Sequence, residues 1–150
     1  MSLAEDIALL SSVPLFRDID EDKLRLIAFG AERRRVPEGQ TLFREGSGGD
    51  CGFVVAQGSF SLSRDGRRGP VRLGTATVGT LLGEIAMISD VDRGMTAIAA
   101  EPGEVMRINR SLFHRMLEEY PEIAEMVLAR VQANFAEFLA DLSGAGQKFR

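Results

Sequence analysis

Residues 83 to 94 read GEIAMISDVDRG, and the rest of the chain is organised around them. Gly83 is followed at once by an acid, Glu84. The stretch then runs through apolar Ile85 to Ile88 and returns to Arg93, nine positions after the glutamate. The apolar middle belongs inside the protein, and two charges cannot follow it there unpaired without a large desolvation cost. Glu84 and Arg93 are therefore either surface loop charges or the lining of a cavity for something polar and anionic. Read locally, Gly83-Glu84 before Ile-Ala-Met-Ile-Ser is one helical turn. Its first N–H groups lack partners within the turn, and its dipole favours an anion. Arg93 adds a planar fork of donors suited to phosphate oxygens. Glu84, acceptor-only when ionised, suits a hydroxyl donor such as a sugar. Inside a β-structure, one anion site and one hydroxyl acceptor describe a nucleotide pocket with no Mg²⁺ requirement.

On either side of this stretch the chain reads as short strands. FVVA (53–56), SFSLS (59–63), VRLGTATV (71–78), Met95 to Ala99 and Glu104 to Ile108 are strand-like. Turn signals separate them at Pro37-Glu38-Gly39, Gly46 to Asp50, Gly58, Asp65-Gly66 and Gly69-Pro70. The Gly46-Ser47-Gly48-Gly49 run lies between strands and reads as a turn, not a phosphate cradle. This spacing predicts a jelly-roll-like antiparallel β-barrel over about 31–109. Short helices precede it over about 4–30, the second capped by Asp20 and bearing Leu24, Ile27 and Phe29 on its apolar face. Helices follow it over about 111–142: one capped by Ser111 and ending near Glu119, then a longer one opened by Pro121. On the last helix Ile123, Val127, Val131, Phe135, Phe138 and Leu142 form an apolar stripe, and Ser143 to Arg150 reads as a frayed tail. The stripe is wider than burial against one small barrel requires, which predicts a homodimer through 121–142. The expected class is α+β, mainly β, as one domain over 1–150.

Composition narrows the function. The 150 residues carry a formal net charge of −4, against the basic excess that a nucleic-acid surface requires, so no direct nucleic-acid binding is expected. His114 is the sole histidine and Cys51 the sole cysteine. A metal site would rest mostly on carboxylates, so none is expected, and no nucleophile–base set suggests an enzyme. One cysteine permits no intrachain disulfide. The acids Glu5 and Asp6 stand where a signal peptide is basic, and no apolar run is long enough to span a bilayer. A cytoplasmic location is the expectation.

The sequence resembles the cyclic nucleotide-binding domain family, which includes regulatory subunits of cAMP-dependent protein kinase, cyclic-nucleotide-gated channels and catabolite activator protein. Val13-Pro14-Leu15-Phe16 looks like the family's opening motif. Gly49-Asp50 with Phe53, Val55 and Gly58 matches its hairpin pattern. Gly83 to Met87 and Arg93 to Thr96 match its phosphate-binding cassette. The resemblance implies that Arg93 binds the cyclic phosphate, with Ala86 and Gly94 donating backbone N–H groups, and that Glu84 accepts from the ribose 2′-hydroxyl beside Gly83. Ile85 and Met95 belong to the same cassette, and Phe135 or Phe138 is the candidate cap over the base.

The chain departs from the family pattern in three places. Asp92, with Asp90 close by, stands where Pro usually precedes the arginine. Met95 replaces a small residue. Gly94 lacks the hydroxyl that cGMP-selective members place there. The implied function is a cAMP sensor, with cGMP the weaker ligand, whose C-terminal helices move on occupancy. No cofactor is implied, and the output partner is unspecified. The alternatives are a ligand-free interaction module with a degenerate pocket, or the effector domain of a longer transcription regulator or channel.

Overall fold

The structure, a computed structural model, describes the backbone of residues 2–148 and the side chains of residues 2–134. Helix α1 (Leu3–Ser11) begins where the Ser2 hydroxyl accepts the Glu5 N–H, with Glu5 and Asp6 in the first turn, the end where acids are favoured. It buries Ile7 and Leu10. A 3-10 turn at Pro14–Phe16 buries Leu15 and Phe16, and helix α2 (Glu21–Gly30) follows. Asp20 sits at the N-cap of α2, but its side chain makes no capping bond. Leu24, Ile27 and Ala28 face inward, whereas Phe29, expected on that face, is 77% exposed. Ala28, four residues after Leu24, takes the inward position on a 3.6-residue period, and Phe29 falls beyond the stripe.

Ten strands follow: β1 (Glu32–Val36), β2 (Thr41–Phe43), β3 (Gly48–Gly49), β4 (Cys51–Gln57), β5 (Phe60–Gly66), β6 (Gly69–Ala76), β7 (Leu81–Leu82), β8 (Val91–Asp92), β9 (Thr96–Ala99) and β10 (Gly103–Asn109). They form two four-stranded sheets, in the orders β1-β10-β4-β7 and β2-β9-β5-β6, and a two-stranded pair β3-β8. All paired strands are antiparallel. The expected jelly-roll-like barrel has no continuous ladder around it: each four-stranded ladder ends at its own two edge strands, and the sheets meet through side chains. Val36, Phe53, Val55 and Val105 from the first sheet pack with Phe60, Ala97 and Ala99 from the second. The opposite face of the first sheet presents Val54, Met106 and Ile108 to the helices. Burial on both faces explains why Cys51–Val55 is a continuous apolar run.

Helix α3 (Arg110–Glu119) is capped by Asn109, whose side chain accepts the Leu112 N–H at 2.7 Å; the expected cap, Ser111, lies inside the helix. Helix α4 (Pro121–Lys148) starts at Pro121 as expected and continues as helix to Lys148, into the segment read as a frayed tail. Ile123, Val127 and Val131 are buried in the helical core with Phe16, Leu24 and Phe113. The Arg130 guanidinium on α4 donates to the carbonyls of Leu15 (3.2 Å) and Arg17 and pairs with Asp18 at 3.2 Å. The stripe positions Phe135, Phe138 and Leu142 lie outside the residues whose side chains are described. Among the described residues no helix is long and apolar enough to cross a membrane.

Candidate functional site

The 83–94 segment folds as the sequence predicts at its start. Gly83 takes a left-handed conformation (φ 76°), and a 3-10 turn over Glu84–Met87 follows. The first bond of the turn runs from the Ala86 N–H to the Gly83 carbonyl at 3.1 Å, so the Glu84 and Ile85 amides lie ahead of its ladder. Ala86 and Met87 are buried, and half-buried Ile85 packs on the helical core. The chain then returns as β8, which pairs with β3 in the registers Gly48 to Asp92 and Gly49 to Val91. The glycine run read as a plain turn is therefore also a strand partner of the cassette. Its Ser47 carbonyl accepts the Arg93 N–H at 2.7 Å, and its Gly46 N–H donates to the Arg93 carbonyl at 2.8 Å.

These bonds carry Arg93 inward. It is 7% exposed, and among the described residues it forms no ion pair. Nη2 donates to the Cys51 sulfur at 3.3 Å, while Nη1 is buried with no hydrogen-bond partner. The guanidinium carbon lies 4.7 Å from the Phe43 ring centroid and 5.6 Å from that of Phe53. The two rings stack at 5.9 Å. Aromatic faces offset part of a cation's desolvation, about 1–2 kcal/mol, but an unpaired buried charge costs several. Gly83 and Gly49 make room for the group: a Cβ on Gly83 would overlap Nη1, and one on Gly49 would lie 3.0 Å from Nε. The arrangement holds a desolvated cation with a free donor, which can bind a small anion.

Glu84 faces other neighbours. Its carboxylate accepts from the Asn134 amide of α4 at 3.3 Å, and burial raises its pKa, an effect the Asn134 bond partly offsets. It lines a cavity of about 470 Å³ together with residues 12–15, 78–81 and Asn134; Arg93 is not part of that lining. Glu84 thus looks toward α4 and the N-terminal turn, and Arg93 toward Cys51 and the phenylalanine pair. Asp90 and Asp92 are both exposed, so neither carboxylate is buried beside the guanidinium. Gly94 is exposed with open space around it, and Met95 is half-buried. The candidate base caps Phe135 and Phe138 lie outside the described side chains.

Four residues near the site escaped the sequence reading: Phe43 and Cys51 beside the guanidinium, Asn134 on Glu84, and Arg110 at the start of α3. The only signal for Arg110 was a charged residue at the strand–helix junction. His114, half-buried on α3, places Nε2 3.0 Å from the Ile88 carbonyl, just after the cassette turn.

The family model described as cyclic nucleotide-binding domain matches residues 33–120. A cyclic nucleotide-gated potassium channel of Mesorhizobium japonicum is 34% identical over 79% of this chain, and a cAMP-dependent protein kinase regulatory subunit of Eremothecium gossypii is 30% identical over 69%. The matches span 32% and 22% of those two proteins. Among solved structures, a cyclic nucleotide-binding-like protein from Brucella abortus is 41% identical, with a TM-score of 0.69, over 76% of this chain and 98% of that one.

Proposed function

The chain belongs to the cyclic nucleotide-binding domain family, and from that premise we propose that it is a cAMP-responsive, non-catalytic regulatory module. One observation carries the reading: Arg93, the family's phosphate-binding position, is buried and, among the described residues, has no acid partner and keeps an unsatisfied Nη1. A bound cyclic phosphate supplies the missing anion. Glu84 takes the ribose 2′-hydroxyl, a neutral donor of the kind it already accepts from Asn134. The exposure of Asp90 and Asp92 supports retention of anion binding. Occupancy acts on the C-terminal helices because α3 touches the cassette through His114 and α4 through Asn134. The response requires only that the ligand bind one helix arrangement better than the other. Dimerisation through 121–142 and a cytoplasmic location are part of the same proposal.

Calorimetric titration of the purified chain with cAMP and cGMP tests this. The expected result is saturable binding of both, with cAMP tighter. The margin is about 0.5–1.5 kcal/mol, the worth of the one hydrogen bond that Gly94 cannot offer guanine. Tighter binding of cGMP rejects the selectivity. Absence of binding by either leaves the degenerate-pocket reading.

A further inference from the structure

We infer that Arg110, the first residue of α3, is the positioning residue that ties together the two segments beside Arg93 and joins them to α3. Its Nε–H donates to the Ala86 carbonyl at 3.0 Å, and its Nη2 donates to the Gly49 carbonyl at 2.5 Å. Those carbonyls belong to different segments. Ala86 is in the cassette turn and Gly49 in strand β3, and Gly49 abuts both Ala86 and the Arg93 guanidinium. A Cβ added at Gly49 would stand 2.9 Å from that of Ala86 and 3.0 Å from Arg93 Nε, so these two walls of the Arg93 site pack closely on each other, with no room for a side chain at Gly49. A third bond fixes the clamp to its helix: the Arg110 backbone N–H donates to the Asp50 carbonyl at 2.8 Å. The nearest acid, Asp90, lies 3.9 Å from Nη2 and is almost fully exposed, so the guanidinium serves chiefly the two carbonyls.

Only arginine has this geometry at one position. Its donors lie in a rigid plane and can reach two acceptors at once, whereas a lysine ammonium is a point charge on a flexible stem. Displacement of either wall on anion binding would pull on the start of α3, and displacement of α3 would change the spacing of the walls. Arg110 need not touch the ligand to do this. The inference rests on the functional reading only for the identity of the anion.

Comparison of Arg110→Met with Arg110→Lys separates clamping from simple charge. Methionine keeps the aliphatic stem and removes the donors; lysine keeps the charge and loses the planar fork. With cAMP as probe, Arg110→Met is expected to bind at least tenfold more weakly than wild type, and Arg110→Lys to remain within about threefold of Met. Adenosine, which lacks the phosphate, should bind wild type and both variants alike. Recovery of wild-type cAMP affinity by lysine would show that Arg110 acts only as a positive charge, and unchanged affinity in Met would remove any role.

Hydrogen exchange without ligand gives a second readout. In Arg110→Met the amides of Ala86 and Arg93, which report the turn and the β3–β8 pair, should exchange faster. Leu112, capped by Asn109, and Val55 in the sheet should be unchanged. If wild type takes up no cAMP, the functional reading falls while exchange still decides the clamp: faster exchange at Ala86 and Arg93 supports it, and wild-type exchange there overturns it.

Discussion

Arg93 carries opposite signs in the free protein and in the complex, which makes it the most informative residue to change. In the free chain it is a buried cation with no acid partner among the described residues, so Arg93→Met, which keeps much of the volume, should unfold at no lower a temperature than wild type. In the proposed cAMP complex the same change strips the cyclic phosphate of its partner. A loss of about 2–5 kcal/mol is expected, roughly a 30- to 4,000-fold weaker Kd for cAMP by calorimetry. Arg93→Lys should recover only part of it, because an ammonium cannot make the two-pronged contact. A surface loop charge would give neither effect. Glu84 predicts a pH dependence. Burial raises its folded-state pKa, so ionisation is harder in the fold than in the unfolded chain. Below the ordinary carboxylate range Glu84 is protonated in both states and costs nothing. As pH rises through that range to the raised folded value, wild type should lose stability relative to Glu84→Gln, and the difference should then stay constant. Urea melts of both proteins from acid to neutral pH check the sign. Affinity for cAMP should weaken on acidification, beginning above the ordinary carboxylate range, and Glu84→Gln should flatten that profile.

At the scale of single elements, the cassette turn depends on a residue with no side chain. Alanine at position 83 must adopt the left-handed conformation, which costs about 1–2 kcal/mol, and its Cβ would overlap Nη1 of Arg93. Gly83→Ala should therefore lower both thermal stability and cAMP affinity. Gly94→Ala, in open space and without positive φ, should leave the melting temperature unchanged. Elements with a strong local signal were legible in the sequence: α1, the Pro121 start of α4, the alternating Phe60–Ser63 strand and the turn after Gly83. Two misreadings share one cause, the weight given to a plausible residue type over its geometry. Ser111 resembles a cap, but the strand β10 runs on to Asn109 and leaves that residue at the helix start. Phe29 looks like core, but the helical period turns it outward. The residues of the site split in the same way. Gly83, Glu84 and Arg93 stand in one contiguous motif and could be read together. Phe43, Cys51, Arg110 and Asn134 come from four distant segments, and only tertiary packing brings them to it.

At the scale of the whole molecule, the proposed dimer constrains the use of α4. Ile123, Val127 and Val131 are spent on the chain's own helical core, so only the part of the stripe beyond them is left to meet a second copy. Light scattering at micromolar concentration should give twice the chain mass of 16.4 kDa, and Leu142→Glu should return it to the monomer without changing the melting temperature. A wild-type monomer would reject the interface. The hook that Arg130 makes on the Leu15 and Arg17 carbonyls bears on how the protein is made. The two ends of the Leu15 contact are 115 residues apart, and Lys23 of α2 pairs with Glu122 across 99. A ribosome adding about 5–20 residues per second takes on the order of ten seconds to cover that separation. Throughout that interval Leu15 and Phe16 of the 3-10 turn have been synthesised but lack α4, the helix that packs on that turn. The apolar surface of that turn is thus made well before its cover, so during synthesis it stays open to solvent for as long as the 115 residues between take to be added.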